Sequence, residues 1–135
     1  MSAAPSRHIS VIVDGISPTI VYDYAADPDN LPRWAAGLAA DVRRDGDVLI
    51  ADSPMGEVTV SFAPRNAFGI LDHQVQLPDG TVVDNPLRVL AHPDGSEVLF
   101  TVRQRDLTAD EFERDCTAVQ ADLDRLRDLL IATRR

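Results

Sequence analysis

A chain of 135 residues, 44% hydrophobic and 26% charged, has the size and composition of one ordinary globular domain. A domain of this length buries enough surface to fold without a disulfide or a metal ion. Thirteen basic against 22 acidic residues give a formal net charge of −9. Because such a surface repels phosphate groups, the charge argues against nucleic acid and anionic membranes as partners.

All thirteen basic residues are arginine, which excludes a Schiff-base lysine and a phosphate-loop lysine. The one cysteine, Cys116, has no intramolecular partner, so we expect a reducing, cytoplasmic setting. No apolar run is long enough to insert into a membrane, and Met1–Ser6 lacks the apolar centre of a signal peptide. We expect Met1–Ser6 to be a short disordered lead.

The N-terminal part predicts a strand followed by two short helices. His8–Val13 is rich in β-branched residues and alternates loosely, which is typical of a strand. Ser17–Pro18 places a capping hydroxyl before a proline, and the helix that it begins should end near Pro28. A second helical segment, Leu31–Ala36, should stop at Gly37.

From Ala39 onward, short strands alternate with turn sequences, of which Asp45–Gly46 is the strongest hairpin signal. Consecutive strands joined by tight turns form an antiparallel meander, because a parallel pair would need a long crossover. The remaining predicted strands are Val48–Asp52, Val58–Phe62, Ile70–Leu77, Val82–Leu90 and Glu97–Arg103.

The C-terminal segment predicts one long amphipathic helix. Thr108 and Glu111 have the spacing of a capping box, and about 25 residues at 1.5 Å each give roughly 38 Å of helix. A one-sided sheet must bury its apolar face, and only this helix is large enough to cover it. The chain is therefore α+β, and the apolar stripe of the helix comprises Phe112, Cys116, Val119, Leu123, Leu126 and Leu130.

Besides the order of elements, five segments carry a family resemblance: Ile20–Tyr24, Asp27–Trp34, Phe68–His73, Pro86–Val89 and Gly95–Thr101. They resemble the SRPBCC (START-like, helix-grip) superfamily, including its polyketide cyclase/dehydrase members. The resemblance implies a curved antiparallel sheet of about six to seven strands, two short helices and one long C-terminal helix, forming a single domain over residues 7–133. It also implies an internal cavity for a small apolar or aromatic ligand.

His73 is the strongest candidate for a polar group in that cavity. Leu71, His73, Val75 and Leu77 share one face of their strand. If that apolar face is the inner one, the imidazole could bind a ligand carbonyl or act as a general acid/base. The alternative is a buried histidine bonded to a neighbouring backbone group or hydroxyl.

Other candidate ligand contacts are aromatic or cationic. Arg88 either pairs with Asp72 across the outer face or, like Arg103, reaches a ligand carboxylate. Three scattered histidines have no metal-binding spacing, and no catalytic signature is present, so we predict no metal and no cofactor. The aromatic candidates, each of which could instead be plain core, are Trp34, Tyr24, Phe62, Phe100 and Phe112.

Three functions are compatible with these patterns. The first is a binding module for a small hydrophobic molecule. The second is a cyclase/dehydratase-like enzyme in which His73 moves a proton. The third is an interaction protein with a collapsed cavity that forms a homodimer.

Overall fold

The computed structural model describes residues 5–35, 41–53 and 56–133, and these residues have the predicted α+β helix-grip fold. Eight strands and three α-helices are present in the described ranges. The elements are β1 (Ser6–Asp14), α1 (Pro18–Ala26), a 3₁₀ turn (Pro28–Asn30), α2 (Leu31–Trp34), β2 (Asp41–Asp45), β3 (Val48–Ser53), β4 (Gly56–Phe62), β5 (His73–Gln76), β6 (Val82–Asn85), β7 (Leu87–His92), β8 (Gly95–Arg103) and α3 (Ala109–Thr133).

The strands form two antiparallel sheets. One has the order β1-β8-β7, and the other is the predicted meander, β2-β3-β4-β5-β6. The chain passes from the second sheet to the first at Pro86, between β6 and β7. The prediction of one strand over Val82–Leu90 was therefore wrong, and the strand number exceeds the predicted six to seven. The physical reason is that proline has no N–H to donate to a ladder.

The segment before β5 also differs from the prediction of a strand over Ile70–Leu77. The Gly69 carbonyl accepts from Val89 N–H at 2.8 Å, and Leu71 N–H donates to the Leu87 carbonyl at 2.8 Å. This segment therefore lies along β7, in contact with the three-stranded sheet. Only from His73 onward does the chain pair with β4 and β6.

The first strand begins earlier than predicted, at Ser6 and not at His8. Ser6 pairs with Arg103 in the β1–β8 ladder, so it is not part of a disordered lead. The predicted helix stop at Ala36–Gly37 and the start of strands at Ala39 lie outside the described residues.

Helix α3 begins and packs as its pattern predicts. Thr108 Oγ1 accepts from Glu111 N–H at 3.1 Å, and a Glu111 carboxylate oxygen accepts from Thr108 N–H at 2.9 Å. The helix lies against β1, β8 and α2. Its fully buried side chains join the inward residues of the sheets in one core; they are Phe112, Cys116, Leu123, Leu126 and Leu130.

Helix α2 is tied to α3 at the backbone. The Arg125 guanidinium donates to the Trp34 carbonyl at 2.9 Å and to Asp122 Oδ1 at 3.0 Å. Because the Trp34 carbonyl is at the end of α2, the arginine supplies a hydrogen bond that the short helix cannot make internally. This contact fixes Trp34 beside the middle of α3.

Candidate ligand-binding cavity

A cavity of about 380 Å³ lies between the sheets and the N-terminal half of α3. Its described walls come from α2, from strands β4, β5, β6 and β8, from the segment after β8, and from α3. On the side formed by α2 and the sheets, the lining residues are Leu31, Trp34, Ala35, Phe62, His73, Val75, Leu77, Val83, Asn85, Phe100 and Val102.

Three of these residues form one transverse row across the five-stranded sheet. Phe62 on β4 pairs with His73 on β5, and His73 pairs with Asn85 on β6. Directly paired residues on adjacent antiparallel strands point to the same face. The row therefore presents the imidazole of His73 and the amide of Asn85 beside the phenyl ring of Phe62.

His73 lies in an aromatic environment. Its side chain is 6% exposed and its ring centroid lies 4.8 Å from that of Phe62 and 5.8 Å from that of Phe100, the latter in an edge-to-face arrangement. Val75, on the same face of β5, also lines the cavity. His73 is thus a buried part of the cavity wall.

The hydrogen bond of His73 defines which ring nitrogen carries the proton. Its Nδ1 lies 3.0 Å from the Leu71 carbonyl oxygen. A carbonyl oxygen only accepts hydrogen bonds, so Nδ1 is the donor. Burial lowers the pKa of His73, an effect that the Leu71 hydrogen bond and the Asp72 charge oppose less strongly. The ring is therefore neutral near pH 7, and Nε2 carries a lone pair.

The α3 wall is a second stripe beside the buried one. Its members recur at steps of three and four along the helix, and Leu123 belongs both to this stripe and to the buried one. Glu111, Arg114 and Asp115 are exposed, so the opening of the cavity lies at this end. Although Asp115 is exposed, partial desolvation of its carboxyl beside the cavity raises its pKa. The stripe comprises Glu111, Arg114, Asp115, Ala118, Val119, Asp122 and Leu123.

Trp34 has a donor without a partner. The side chain is 3% exposed, and its indole Nε1 is enclosed with no hydrogen-bond acceptor among the described residues. An unmet buried donor costs about 1–3 kcal/mol. The indole is therefore held in place by packing and not by polar contacts of its own.

The structure brings four of the predicted ligand contacts together: Trp34, Phe62, His73 and Phe100 all line the cavity. Three others lie elsewhere. Arg88 is bound to Asp72, with Nε to Oδ1 at 2.8 Å and Nη2 to Oδ2 at 2.7 Å, so the alternative of an ion pair is the one observed. The Arg88 guanidinium is occupied by this ion pair, and Arg88 does not line the cavity.

Tyr24 and Phe112 are the other two corrections. Tyr24 is on α1, which packs against β7 and β8, away from the cavity, and it is a half-buried member of the core. Phe112 belongs to the stripe of α3 that is buried against β1, and its ring lies under the Arg7 guanidinium at 5.2 Å. Arg103, weighed as an alternative carboxylate contact, donates to Ser6 Oγ at 3.2 Å.

Several lining residues were missed by the sequence prediction. Asn85 enters the lining through its register with His73, which no local pattern reveals. Arg105 and Leu107 follow β8 in an irregular segment, where Arg105 has a positive φ of 55°. The mixed stripe of α3 could have been predicted from the sequence, because its residues recur at steps of three and four next to the apolar stripe.

A second hollow lies on the other side of the Phe62–His73–Asn85 row. Its volume of about 420 Å³ is slightly larger than that of the inner cavity, but it is more open to solvent. Most of its lining residues outside the row are polar. An open depression excludes water poorly, so we take the more enclosed cavity as the binding site. The other residues of this outer cleft are Ser61, Ala63, Asp72, Gln74, Asp84 and Pro86.

The described residues contain neither a metal-binding cluster nor a membrane-spanning helix. Across these ranges, no three side chains of His, Cys, Asp or Glu are grouped so that they could hold a metal ion. Within the same ranges, none of the helices combines the length and apolar character needed to span a bilayer.

Solved structures with the same fold are similar over nearly the whole chain. MLL2253 from Mesorhizobium loti has a TM-score of 0.72 at 12% identity, with 96% of this chain and 98% of that chain covered. ChR145 from Cytophaga hutchinsonii has a TM-score of 0.71 at 16% identity, covering 98% of each chain. Ara h 8.0201 has a TM-score of 0.62 at 12% identity, covering 95% of this chain and 99% of that chain.

At such identities the similarity supports the fold and does not extend to a ligand or an activity. No protein-family model matches the sequence, and no curated protein matches it either.

Proposed function

We propose that this chain is a member of the SRPBCC superfamily that binds a small, mainly apolar molecule between its sheets and α3. The observation that carries the proposal is the cavity itself, whose inner walls are aliphatic and aromatic around one buried imidazole. Ligand sites are typically concave and apolar, with a few polar groups that fix orientation.

The volume limits the size of the ligand. About 380 Å³ is near the lower end of the roughly 300–1,000 Å³ that is usual for ligand pockets. Phe62 and Phe100 supply flat aromatic walls, which favour a planar or aromatic body. A compact molecule with two or three rings fits these walls better than a long acyl chain.

A cavity-filling substitution tests the proposal. Val119 lines the cavity from α3 and is half-buried, so Val119→Trp should place an indole inside it. Ala121 is exposed on the same helix, which makes Ala121→Trp the matched control. We expect calorimetric titration with naphthalene to show binding to the native protein and to Ala121→Trp, and none to Val119→Trp. Equal binding by all three would place the ligand elsewhere.

A second candidate function, general-base catalysis of the cyclase/dehydratase type, is favoured by the state of His73. Its Nδ1–H is fixed by the Leu71 carbonyl, so its Nε2 is an oriented base beside a cavity. The test uses 5-nitrobenzisoxazole, an apolar compound whose ring opens on loss of one proton. Acceleration that disappears in His73→Phe supports the enzyme, whereas no His73-dependent acceleration argues against it.

The proposed setting is the cytoplasm. Cys116 is buried and is the only cysteine of the chain, and burial raises the pKa of its thiol. Such a thiol needs no oxidising compartment. The homodimer stays a prediction, for which sedimentation equilibrium is the direct measurement.

A further inference from the structure

We infer that the ligand carries a hydroxyl group or another neutral hydrogen-bond donor, and that it presents this donor to Nε2 of His73. The inference rests on the proposed binding function and specifies the chemistry of the bound molecule. It reverses the sequence-based expectation that His73 would bind a ligand carbonyl.

The geometry at Nδ1 fixes the polarity of the other nitrogen. Nδ1 lies 3.0 Å from the carbonyl oxygen of Leu71, two residues earlier on the same strand. That oxygen can only accept, so the single proton of a neutral imidazole is on Nδ1. Nε2 is then an acceptor, and the group that it recognises must donate.

The surroundings of the ring oppose a second proton. The rings of Phe62 and Phe100 lie on two sides of it, and a cation placed there would lose its hydration. Asp72 is the acidic group that acts on the His73 charge. Its carboxylate is held by two hydrogen bonds from Arg88, so its charge is largely offset.

These conditions separate three classes of apolar ligand. A ligand with a hydroxyl gains a hydrogen bond at Nε2. A hydrocarbon leaves the lone pair without water or a partner, and a ketone places a second acceptor against it; both are penalised. Because the neighbouring walls are phenyl rings, the class that fits best is a neutral phenol or another hydroxylated aromatic compound.

The inference is tested by calorimetric titration with four compounds of one skeleton: naphthalene, 2-naphthol, 2-methoxynaphthalene and 2-acetylnaphthalene. We expect 2-naphthol to bind about fivefold to tenfold more tightly than the other three, as one net hydrogen bond would give. His73→Phe should remove this preference and should strengthen the binding of naphthalene, because phenylalanine retains a ring and leaves no unpaired acceptor. Gln74→Leu is the matched control, since Gln74 is exposed on the opposite face of β5, and it should retain the preference.

The outcomes distinguish the two proposals. Equal binding of the four compounds, or preference for 2-acetylnaphthalene, would overturn the inference about the hydroxyl while the binding function stands. Binding of none of them would overturn both. If His73→Phe does not fold, the comparison of the four compounds with the native protein still decides the question.

Discussion

Asp72 and Arg88 join the two sheets at the place where the chain crosses between them. Asp72 directly precedes β5 of the five-stranded sheet, and Arg88 lies on β7 of the three-stranded sheet. Besides the two bonds from the arginine, Asp72 Oδ1 accepts from Leu87 N–H at 2.9 Å. Because His73 is the next residue along the chain, this carboxylate also fixes where the imidazole enters the cavity wall.

The first prediction concerns that carboxylate. The Arg88 hydrogen bonds are the main reason why the pKa of Asp72 lies below its ordinary value of 3.8. Both side chains are partly exposed, so we expect Asp72→Asn to lower the free energy of unfolding at pH 7 by only about 1 kcal/mol. A group with a depressed pKa stabilises the fold above pH 3.8 and loses that contribution as the pH falls through its folded value. Chemical denaturation of the native protein between pH 7 and pH 2 should therefore show a loss of stability in acid. This loss should be smaller in Asp72→Asn.

The control for this experiment is Arg88→Gln, which removes the same pair from its other side. If the pair is the source of the effect, the double variant should be about as stable as the less stable of the two single variants. Independent, fully additive losses would contradict the pairing.

The second prediction follows from the lowered pKa of His73. The unfolded chain takes up a proton near pH 6.5, whereas the buried ring takes it up only at lower pH. Stability should thus fall as the pH drops below 6.5 and level off once the folded pKa is passed. Denaturation of the native protein and of His73→Phe over pH 5–8 isolates this slope, because His8 and His92 are common to both.

The affinity for 2-naphthol should follow the titration of the folded ring, which occurs at a lower pH than the onset of the stability loss. Protonation converts Nε2 from an acceptor to a donor, so from pH 8 downward binding should stay constant past pH 6.5 and weaken only when the folded pKa is reached. An affinity that rises on acidification would be inconsistent with this assignment.

The third prediction concerns Gly69, which lies beside β7. It has a φ of +74°, and a Cβ built on it would lie 2.2 Å from the Val89 carbonyl oxygen. Gly69→Ala must therefore displace a backbone contact, and we expect a loss of at least about 3 kcal/mol by thermal or chemical unfolding. Gly80 has a comparable φ of +89° but open space around it. Gly80→Ala should cost only about 1–2 kcal/mol, and equal losses at both sites would rule out the steric explanation.

The fourth prediction concerns the unpartnered indole of Trp34. Trp34→Phe loses some packing but also removes a buried donor that has no acceptor among the described residues. The two effects offset each other, so we expect a loss of less than about 2 kcal/mol. Leu31→Ala, on the same helix and 4% exposed, should cost about 2–5 kcal/mol. A larger loss for Trp34→Phe than for Leu31→Ala would mean that the N–H has a partner.

The elements predicted most accurately are those with a strong repeating pattern. The α3 stripe and its capping box follow from spacing alone, and the inward direction of His73 follows from the alternation of Leu71, His73 and Val75. In each case the pattern is local, so neighbouring residues contain all the information that is needed.

Two strand predictions failed for different reasons. Pro86 is a local signal that divides the run Val82–Leu90. The bridge from Ile70 to Arg88, by contrast, depends on a contact distant in sequence. The choice among aromatic residues also depends on distant contacts, because Tyr24 and Phe112 are aromatic, as Phe62 and Phe100 are. Which of them lines the cavity depends on how the helices and strands that carry them pack together.

Each residue of the row Phe62, His73 and Asn85 lines both the inner cavity and the outer cleft, so the row lies between the two hollows. We expect that shortening one of these side chains to alanine would enlarge the inner cavity and weaken the separation between the two hollows. A truncation of His73 therefore changes the shape of the protein as well as its chemistry, whereas phenylalanine at that position keeps the wall closed.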